Sequence, residues 1–435
     1  MRIGIVPELG GGGGIYQYSL AVLGALGDWT AANVKDEVVL FTDETGHPAL
    51  QSPNGHHWTI RPLTPPPEQP SAAERGSNVV KRLLGEGPHR ELLRRVRRKV
   101  WPAWWELDTG IKDPAVAWYH LQMGRWLHRC EVDLMVYPAH NVAAFETGPP
   151  YIMVVHDLQH RLQPEFPEVS ADGEWEAREE FFQRAIGAAT MLVTDSEVGK
   201  EDVLNFYGAC GVTPDRVKVL PFVPAPYLAV GGAELERRRV REVYGLPERY
   251  MFYPAQFWPH KNHARIVRAL ALVRERHNLT IPIAFCGSRT DAIRERTYQE
   301  LITLSAELGL DTQIRHLGYV SDEDMSGLYA GATALVMPTF FGPTNIPVLE
   351  AWAFGCPVLT SDIRGIRDQA GDAALLVDPR SDDSVADGIH RLWTDEGLRL
   401  QLIERGRRRL AAYTPADFSR RFGEILADAK TRVSR

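Results

Sequence analysis

The feature that most constrains this chain is an alternation of short apolar runs with amphipathic helical patterns, clearest in one segment of the C-terminal half. Residues 334–337 form an apolar run of strand length, and a turn-forming cluster follows at 342–345. Pro347 suits the first turn of a helix, because a proline there removes no helical hydrogen bond. Gly355 marks the predicted helix end, and 357–360 predicts a second buried strand. This strand–loop–helix–strand unit predicts a parallel sheet.

The loop in this unit lies where parallel sheets bind ligands, outside the carboxyl end of a strand. The helix that follows offers free backbone N–H groups and a partial positive charge, which suit phosphates or sugar hydroxyls. Glu350, one turn into that helix, can accept hydrogen bonds from hydroxyl groups. A carboxylate in a first turn also complements the helix dipole with no ligand present. The spacing alone therefore favours neither interpretation.

Length and composition limit the architecture and the class of protein. A chain of 435 residues exceeds one typical core, so two domains are expected. A net charge of −7 argues against a nucleic-acid-binding protein. The cysteines are widely spaced, which predicts reduced thiols in a cytosolic protein. The first residues read as a strand rather than a signal peptide, and no apolar run approaches the roughly 20 residues that span a bilayer. We therefore expect a cytoplasmic protein that is at most peripheral at the inner face of the cytoplasmic membrane.

The same alternation runs along nearly the whole chain and predicts two Rossmann-like α/β domains that face each other across a cleft. Proline and glycine residues near position 225 predict the linker between them. We expect an N-terminal domain at 1–228, a C-terminal domain at 229–412 and a final helical segment at 413–435. Proline-rich sequence opens a predicted insertion at about 62–110 in the first domain.

A run of glycines at 10–14 separates the first predicted strand from the first predicted helix. Glycine lets a ligand approach the backbone closely and leaves N–H donors free at the helix start. The spacing does not fit the GxGxxG pattern, which disfavours a dinucleotide-binding interpretation. A flexible turn without a ligand is the alternative.

Two polar residues also stand where ligands bind. His156 ends the apolar run 151–155, and a histidine there can bond a sugar hydroxyl or take part in proton transfer. The alternative is a histidine that satisfies local backbone beside an N-capping Asp157. Lys261 precedes a predicted helix at 264–276, where a cation is unfavourable unless an anion binds beside it. A solvated lysine is the alternative at this position.

Two segments resemble signatures of the retaining GT-B glycosyltransferases of family 4, the group 1 glycosyl transferases. They read HDLQHRLQPEF at 156–166 and FFGPTNIPVLEAWAFGCPV at 340–358. The resemblance covers nearly the whole chain and implies the GT-B fold, in which the last helix crosses back onto the first domain. The family's donor loop carries two glutamates with seven residues between them. The second matches Glu350 and the first falls on Gly342, so the chain resembles a branch in which Gly-Pro-Thr-Asn replaces the usual loop.

The resemblance implies roles for individual residues. Lys261 contacts the donor diphosphate, His156 the donor sugar and Glu350 the nucleotide ribose, and these are the predicted catalytic residues. The family's second phosphate-binding cation falls on Gln256, which leaves one cation for the leaving group. The predicted donor-binding residues, besides Glu350, are Gly12, Gly13, Gly14, Gln256, Ser288, Tyr319, Val320, Pro343, Thr344, Asn345 and Ile346. Backbone N–H groups of the last three are expected to replace the missing glutamate.

The resemblance implies neither a metal nor another cofactor. The acidic triplet at 322–324 is similar to a metal-binding DxD sequence, but it follows Ser321 and opens a predicted helix. We therefore interpret Ser321 as an N-cap and Asp324 as its capping-box partner. His160 is a candidate contact to the acceptor.

The implied activity is metal-independent transfer of a hexose, with retention, from a nucleotide-sugar to a glycan or lipid-linked acceptor, as in polysaccharide biosynthesis. Family frequency alone favours a mannosyltransferase that uses GDP-mannose. A non-catalytic sugar-nucleotide-binding protein stays open, because Gly342 and Gln256 replace expected polar contacts. A sugar-nucleotide 2-epimerase shares the two-domain fold and also stays open. The glycine spacing disfavours a nicotinamide dehydrogenase.

Residues 90–105 combine a basic helical face, an apolar face and tryptophans at one end. Such a helix can lie in the surface of an anionic membrane. It can also bind an acidic acceptor such as a lipid pyrophosphate. The alternative is an ordinary amphipathic helix whose apolar face packs on the core.

Overall fold

A computed structural model describes the chain at residues 1–10, 13–50, 58–63, 114–141, 144–145, 147–224 and 233–434. Gly12, the segment 90–105, nearly all of the predicted insertion and most of the predicted linker lie outside the described residues. The described residues form two parallel sheets with helices on their faces.

The first sheet has seven parallel strands in the order β3-β2-β1-β4-β5-β6-β7. These strands are β1 (Arg2–Ile5), β2 (Glu37–Phe41), β3 (Thr59–Arg61), β4 (Leu134–Tyr137), β5 (Tyr151–Val155), β6 (Met191–Thr194) and β7 (Val217–Val219). The helices of this part are α1 (Gly14–Ala32), α2 (Pro114–Arg129), α3 (Gln159–Leu162), α4 (Glu174–Ala188) and α5 (Glu197–Tyr207). Short 3-10 turns lie at Pro48–Leu50, Pro167–Val169, Ala171–Gly173, Gly208–Cys210 and Pro214–Arg216.

The second sheet has six parallel strands in the order β10-β9-β8-β11-β12-β13. These strands are β8 (Met251–Pro254), β9 (Ile283–Cys286), β10 (Ile314–His316), β11 (Ala334–Met337), β12 (Val358–Ser361) and β13 (Leu375–Val377). The helices are α6 (Ala233–Val243), α7 (His263–His277), α8 (Ala292–Glu307), α9 (Asp322–Gly331), α10 (Ile346–Ala353), α11 (Ile366–Ala370), α12 (Asp382–Thr394), α13 (Glu396–Ala411) and α14 (Pro415–Val433). A 3-10 turn, Pro259–Lys261, follows β8.

The inner strands, among them β4, β5, β6, β9, β11 and β12, are buried on both faces, which explains why they read as continuous apolar runs. Within β5, Ile152 and Val154 enter one hydrophobic cluster, whereas Tyr151 and Met153 enter the cluster on the opposite face. Helices therefore cover both sides of the sheet, and the carboxyl ends of the strands are left to meet ligands.

The last helix, α14, packs back onto the first domain, as the resemblance implied. Phe418, Phe422 and Leu426 join the core cluster that contains Leu26 of α1. Lys430 adds an ion pair to the carboxylate of Asp36 at 2.8 Å. The two halves of the chain are thus joined along a helix pair as well as by the linker.

The predicted capping box at the start of α9 is wrong. Ser321 is the N-cap by position, but its side chain makes no capping hydrogen bond. The Asp324 carboxylate is instead buried against α6, where it accepts hydrogen bonds from the Arg239 guanidinium and the Tyr244 hydroxyl. The acid is held by long-range partners that a local capping pattern does not reveal.

Candidate functional site

The carboxyl ends of the two sheets face each other, and polar contacts cross between them. Each contact joins a residue of the first domain to a loop or helix start of the second. The contacts are Gln17 Nε2 to Glu350 Oε1 (2.8 Å), Gln163 Nε2 to the Phe340 carbonyl (2.8 Å), Thr344 Oγ1 to Asp195 Oδ2 (2.6 Å), His260 Nδ1 to Glu168 Oε1 (2.6 Å) and Arg364 Nη1 to Asp202 Oδ1 (2.6 Å).

Lys261 lies in this cleft, in the turn after β8 and directly before α7. Its ammonium group has no carboxylate within ion-pair distance among the residues that the structure describes. Burial lowers the pKa of Lys261 to about 8, and the nearby Asp157 and Glu168 carboxylates oppose that shift. A partly buried cation without an ion-pair partner, at a helix start, is suited to bind a phosphate.

The turn that carries Lys261 is fixed from several directions. The Lys261 carbonyl accepts a 3.0 Å hydrogen bond from the Tyr253 hydroxyl. Asn262, in the left-handed conformation with φ 63°, donates from Nδ2 to the carbonyls of Pro338 and Pro379. The lysine turn is therefore anchored on strand β8 and on the two loops that follow β11 and β13.

His156 follows β5, and contacts to its imidazole ring fix the position of the side chain. Nε2 donates to the Pro138 carbonyl at 2.8 Å, and the ring stacks on Phe222 at 5.9 Å. Burial lowers the pKa of His156, so the imidazole is neutral at pH 7. With the proton on Nε2, Nδ1 is an acceptor. No described residue donates to Nδ1, which leaves it able to accept a hydrogen bond from a sugar hydroxyl.

The Gly-Pro-Thr-Asn loop connects β11 to α10, and its backbone is closely packed. Gly342 has φ 141°, and a Cβ there would lie 2.5 Å from Nδ2 of Asn345. The Gln369 side chain donates to the Asn345 carbonyl and accepts from the Asn345 N–H, both at 2.9 Å. Because Gln369 already accepts from the Asn345 N–H, a donor contact at this N–H would have to displace the Gln369 side chain, and the contact stays a prediction.

The side-chain amide of Asn345 is the polar group that this loop leaves available. The residue is 6% exposed, and its Nδ2 is buried without a hydrogen-bond partner among the described residues. An unsatisfied buried amide costs about 1–3 kcal/mol, so a ligand hydroxyl that pairs with it would recover that free energy. The amide occupies the space beside Gly342 in which a larger side chain would otherwise stand.

Glu350 is 2% exposed and already hydrogen-bonded. Tyr329 donates from its hydroxyl to Oε2 at 2.6 Å, and Gln17 donates to Oε1. A ribose hydroxyl would therefore have to replace or share the Gln17 amide. The predicted ribose contact stays a prediction, and Gln17 is a cleft residue that local pattern did not reveal.

Four more of the predicted donor-binding residues follow neighbouring strands of the second sheet: Gln256 follows β8, Ser288 follows β9, and Tyr319 and Val320 follow β10. Tyr319 is 74% exposed, whereas Val320 is buried. Ser288 Oγ lies 3.1 Å from the Thr290 hydroxyl. Gln256 accepts a 2.9 Å hydrogen bond from Trp258 Nε1 and carries no charge for a phosphate.

Gly13 and Gly14 stand at the start of α1, and Gly14 comes close to the second domain. Gly13 has φ 94° and precedes the helix as its N-cap. A Cβ on Gly14 would lie 3.4 Å from the Ile346 side chain. Gly14 thus approaches the start of α10 across the cleft, and the role of these glycines in donor binding stays a prediction.

A cavity of about 250 Å³ lies between the domains, beside the Gly-Pro-Thr-Asn loop. Asp157, Leu158 and Asp202 line it from the first domain, and Phe341, Gly342, Pro343, Arg364 and Arg380 line it from the second. The cavity combines apolar walls with charged groups at the edge of the donor loop.

His160 does not face the cleft, which overturns its assignment to the acceptor. The ring is fully buried, stacks on Phe182 and lies within hydrogen-bond distance of Glu179 and Tyr207. It belongs to the core beneath α4.

Asp195 was not predicted as a site residue. It directly follows β6, is buried, and accepts hydrogen bonds from Thr344 and Ser196. Burial raises the pKa of the Asp195 carboxyl to about 7. A polar residue at the carboxyl end of a buried strand was a signal that could have identified it.

Among the described residues, no group of three His, Cys, Asp or Glu side chains is arranged to hold a metal ion. In the same part of the chain, no helix is both long and apolar enough to cross a membrane.

Residues 236–409 match the family described as glycosyl transferases group 1. O-antigen chain mannosyltransferase B of Escherichia coli is 26% identical over 230 residues, which are 52% of this chain and 58% of that protein. D-inositol 3-phosphate glycosyltransferase of Corynebacterium aurimucosum is 25% identical over 319 residues, which are 72% of this chain and 70% of that protein. The match thus spans just over half the length of the E. coli relative.

Solved structures of the same architecture cover almost the entire chain. HepE of Anabaena in complex with UDP and glucose has a TM-score of 0.68 at 15% identity, over 98% of this chain and 99% of that chain. WaaG, a glycosyltransferase involved in lipopolysaccharide biosynthesis, has a TM-score of 0.65 at 15% identity, over 98% of this chain and 99% of that chain. The chain therefore has the GT-B fold.

Proposed function

We propose that this protein is a glycosyltransferase that moves a hexose from a nucleotide-sugar to a glycan or lipid-linked acceptor, with retention at the anomeric carbon. The observation that carries the proposal is Lys261, a partly buried cation in the cleft without an ion-pair partner among the described residues. The match of residues 236–409 to the group 1 family supports the same assignment.

Each site residue has a defined part in this reaction. The Lys261 ammonium binds the diphosphate and stabilises the charge that develops on it as the glycosidic bond breaks. Neutral His156 accepts a hydrogen bond from a sugar hydroxyl at Nδ1. The Asn345 amide contacts the sugar from the opposite domain, in the place where the resembling family carries a glutamate. Glu350 binds the ribose.

Retention follows from a front-face displacement, in which the acceptor hydroxyl attacks from the side of the leaving group. A leaving phosphate oxygen then takes the acceptor's proton. Closure of the cleft, which the contacts between the domains maintain, excludes water and limits hydrolysis of the donor. The residues lining the cavity beside Gly342 and Pro343 would surround the acceptor hydroxyl. The reaction uses no metal in this proposal.

The donor we favour is GDP-mannose, and the name of the E. coli relative, a mannosyltransferase, supports the sugar. A UDP-sugar is the competing candidate for the donor, because the Anabaena neighbour was solved with UDP and glucose. A thermal-shift panel of GDP-, UDP- and ADP-sugars against wild type and Lys261→Ala tests the proposal. A ligand at about 100 times its dissociation constant adds roughly 2.7 kcal/mol to the free energy of unfolding.

We expect one nucleotide series to stabilise the wild type and the Lys261→Ala variant to lose most of that shift. The stabilising donor is then incubated with candidate acceptors, and the anomeric configuration of the product is read by NMR. Stabilisation without transfer to any acceptor would favour a non-catalytic binder. If the sugar of the donor is converted to another sugar when no acceptor is present, a 2-epimerase would be favoured.

A further inference from the structure

The turn that carries Lys261 is also held from the opposite domain, by Glu168. Glu168 Oε1 accepts two hydrogen bonds from His260, one from the ring Nδ1 at 2.6 Å and one from the backbone N–H at 3.2 Å. His260 immediately precedes Lys261 in the 3-10 turn. A side chain of the first domain thus fixes the residue next to the phosphate-binding cation of the second.

The contact is buried and charged. The side chains of His260 and Glu168 are 10% and 5% exposed. Burial and the neighbouring Lys261 ammonium lower the pKa of His260 to about 4, so the ring is neutral and donates from Nδ1. The His260 hydrogen bonds lower the pKa of Glu168, although burial alone would raise it. The pair is therefore a neutral imidazole bonded to a carboxylate.

The second oxygen of Glu168 is not used in the same way. Oε2 is buried and has no hydrogen-bond partner among the described residues. A buried carboxylate oxygen without a partner is costly, and its charge is only weakly screened from neighbouring groups. Here the charge acts on Lys261, since Glu168 and Asp157 are the carboxylates that raise its pKa.

A second contact from the same segment holds the adjoining loop. Gln163 donates to the Phe340 carbonyl at 2.8 Å, and the Phe340 N–H donates to the His260 carbonyl at 2.8 Å. The segment that follows His156 therefore binds both the lysine turn and the chain that leads into the Gly-Pro-Thr-Asn loop.

We infer that Glu168 is a positioning residue for Lys261: reaching from the first domain, it holds His260 and so fixes the turn that presents the lysine to the donor's diphosphate. Phosphate binding is thereby coupled to domain closure, because the anchor and the lysine turn belong to opposite domains. The inference rests on the proposed function, since it assigns Lys261 to a nucleoside diphosphate.

The test measures binding of GDP, UDP and ADP by calorimetry to wild type, Glu168→Ala and Glu168→Gln. Glu165→Gln, an exposed acid of the same segment, is the matched control. Because the lysine turn loses its anchor on the first domain, we expect Glu168→Ala to weaken nucleotide binding by about tenfold. Glu165→Gln should bind as the wild type does.

Two further readouts separate positioning from a general structural role. Glu168→Gln removes a charge that raises the Lys261 pKa, so the alkaline limit of nucleotide binding should move to lower pH. In a Lys261→Ala background, Glu168→Ala should cause little further loss, because it acts through the lysine.

Unchanged affinity and pH limit in both Glu168 variants, with only a lower melting temperature in Glu168→Ala, would overturn the inference and leave the proposed function intact. Equal losses from Glu168→Ala with and without Lys261 would also overturn it. If the wild type binds none of the three nucleotides, the proposed function fails and this inference fails with it.

Discussion

The Thr344 hydroxyl donates a 2.6 Å hydrogen bond to Oδ2 of Asp195, and this contact joins the donor loop of one domain to the end of β6 in the other. The carboxyl is buried, which disfavours its anion and raises its pKa to about 7. In the unfolded chain the same group titrates near its usual value of 3.8. The folded protein therefore binds one more proton than the unfolded chain between these two values.

This difference predicts how Asp195→Asn changes stability. Excess proton binding by the folded state makes its stability fall as pH rises from about 4 to 7. The substitution removes that loss while its amide oxygen still accepts from Thr344. We compare the free energy of unfolding of the variant with that of the wild type at each pH. This difference should be more favourable to the variant at pH 8 than at pH 5, by on the order of 2 kcal/mol. Urea denaturation at both pH values measures the gain, and an equal effect at the two would refute the burial argument.

Lys261 predicts an alkaline limit on donor use. Because burial lowers its pKa to about 8, the free enzyme loses the phosphate-binding cation above that pH. We expect kcat/KM for the donor to fall above about pH 8, since this ratio reports the groups of the free enzyme. An arginine at this position stays charged at pH 9. In the Lys261→Arg variant, kcat/KM for the donor should therefore not fall above pH 8, even if its value is lower than in the wild type at every pH.

The exposed Lys35 supplies the control for this experiment. Lys35→Ala should reproduce the wild-type pH profile. A Lys261→Arg profile that still declines above pH 8 would assign the limit to another group.

Local patterns predicted much of the fold but few of the contacts in the cleft. The bounds of β5 and β11 match the apolar runs 151–155 and 334–337, because strands buried on both faces are uninterrupted apolar runs with turn residues at their ends. His156 and Lys261 were found because a polar residue at such an end, or a cation at a helix start, is locally unusual.

The residues that pair with them come from distant parts of the chain. Gln369 clamps Asn345 from 24 residues away, and Glu168 reaches His260 across 92 residues and from another domain. No periodicity or spacing links such positions, since their meeting depends on how the two sheets are placed. For the same reason the sequence suggested the Asn345 N–H as a donor contact, when its side-chain amide is the group left without a partner.

That amide predicts a sugar-specific defect. Asn345→Ala removes the proposed contact to the hexose but leaves the phosphate and base sites in place. We expect transfer from the nucleotide-sugar to fall at least about tenfold, equivalent to 1.4 kcal/mol, while binding of the free nucleoside diphosphate stays within about twofold. Kinetics and calorimetry on the same preparations separate these effects. The exposed Asn205→Ala variant serves as control, and parallel losses in transfer and diphosphate binding would contradict a role limited to the sugar.

The packing of α14 on α1 predicts how strongly the C-terminus stabilises the first domain. Phe422 is fully buried in the cluster that contains Leu26, so Phe422→Ala leaves a cavity in that core. Such a truncation costs about 3–5 kcal/mol of unfolding free energy. Glu424→Ala, on the exposed side of the same helix, removes only a surface ion pair with Arg420 and should cost less than about 1 kcal/mol. Urea denaturation of both variants tests the docking, and a Phe422→Ala loss no larger than that of Glu424→Ala would show that the helix contributes little to the folded core.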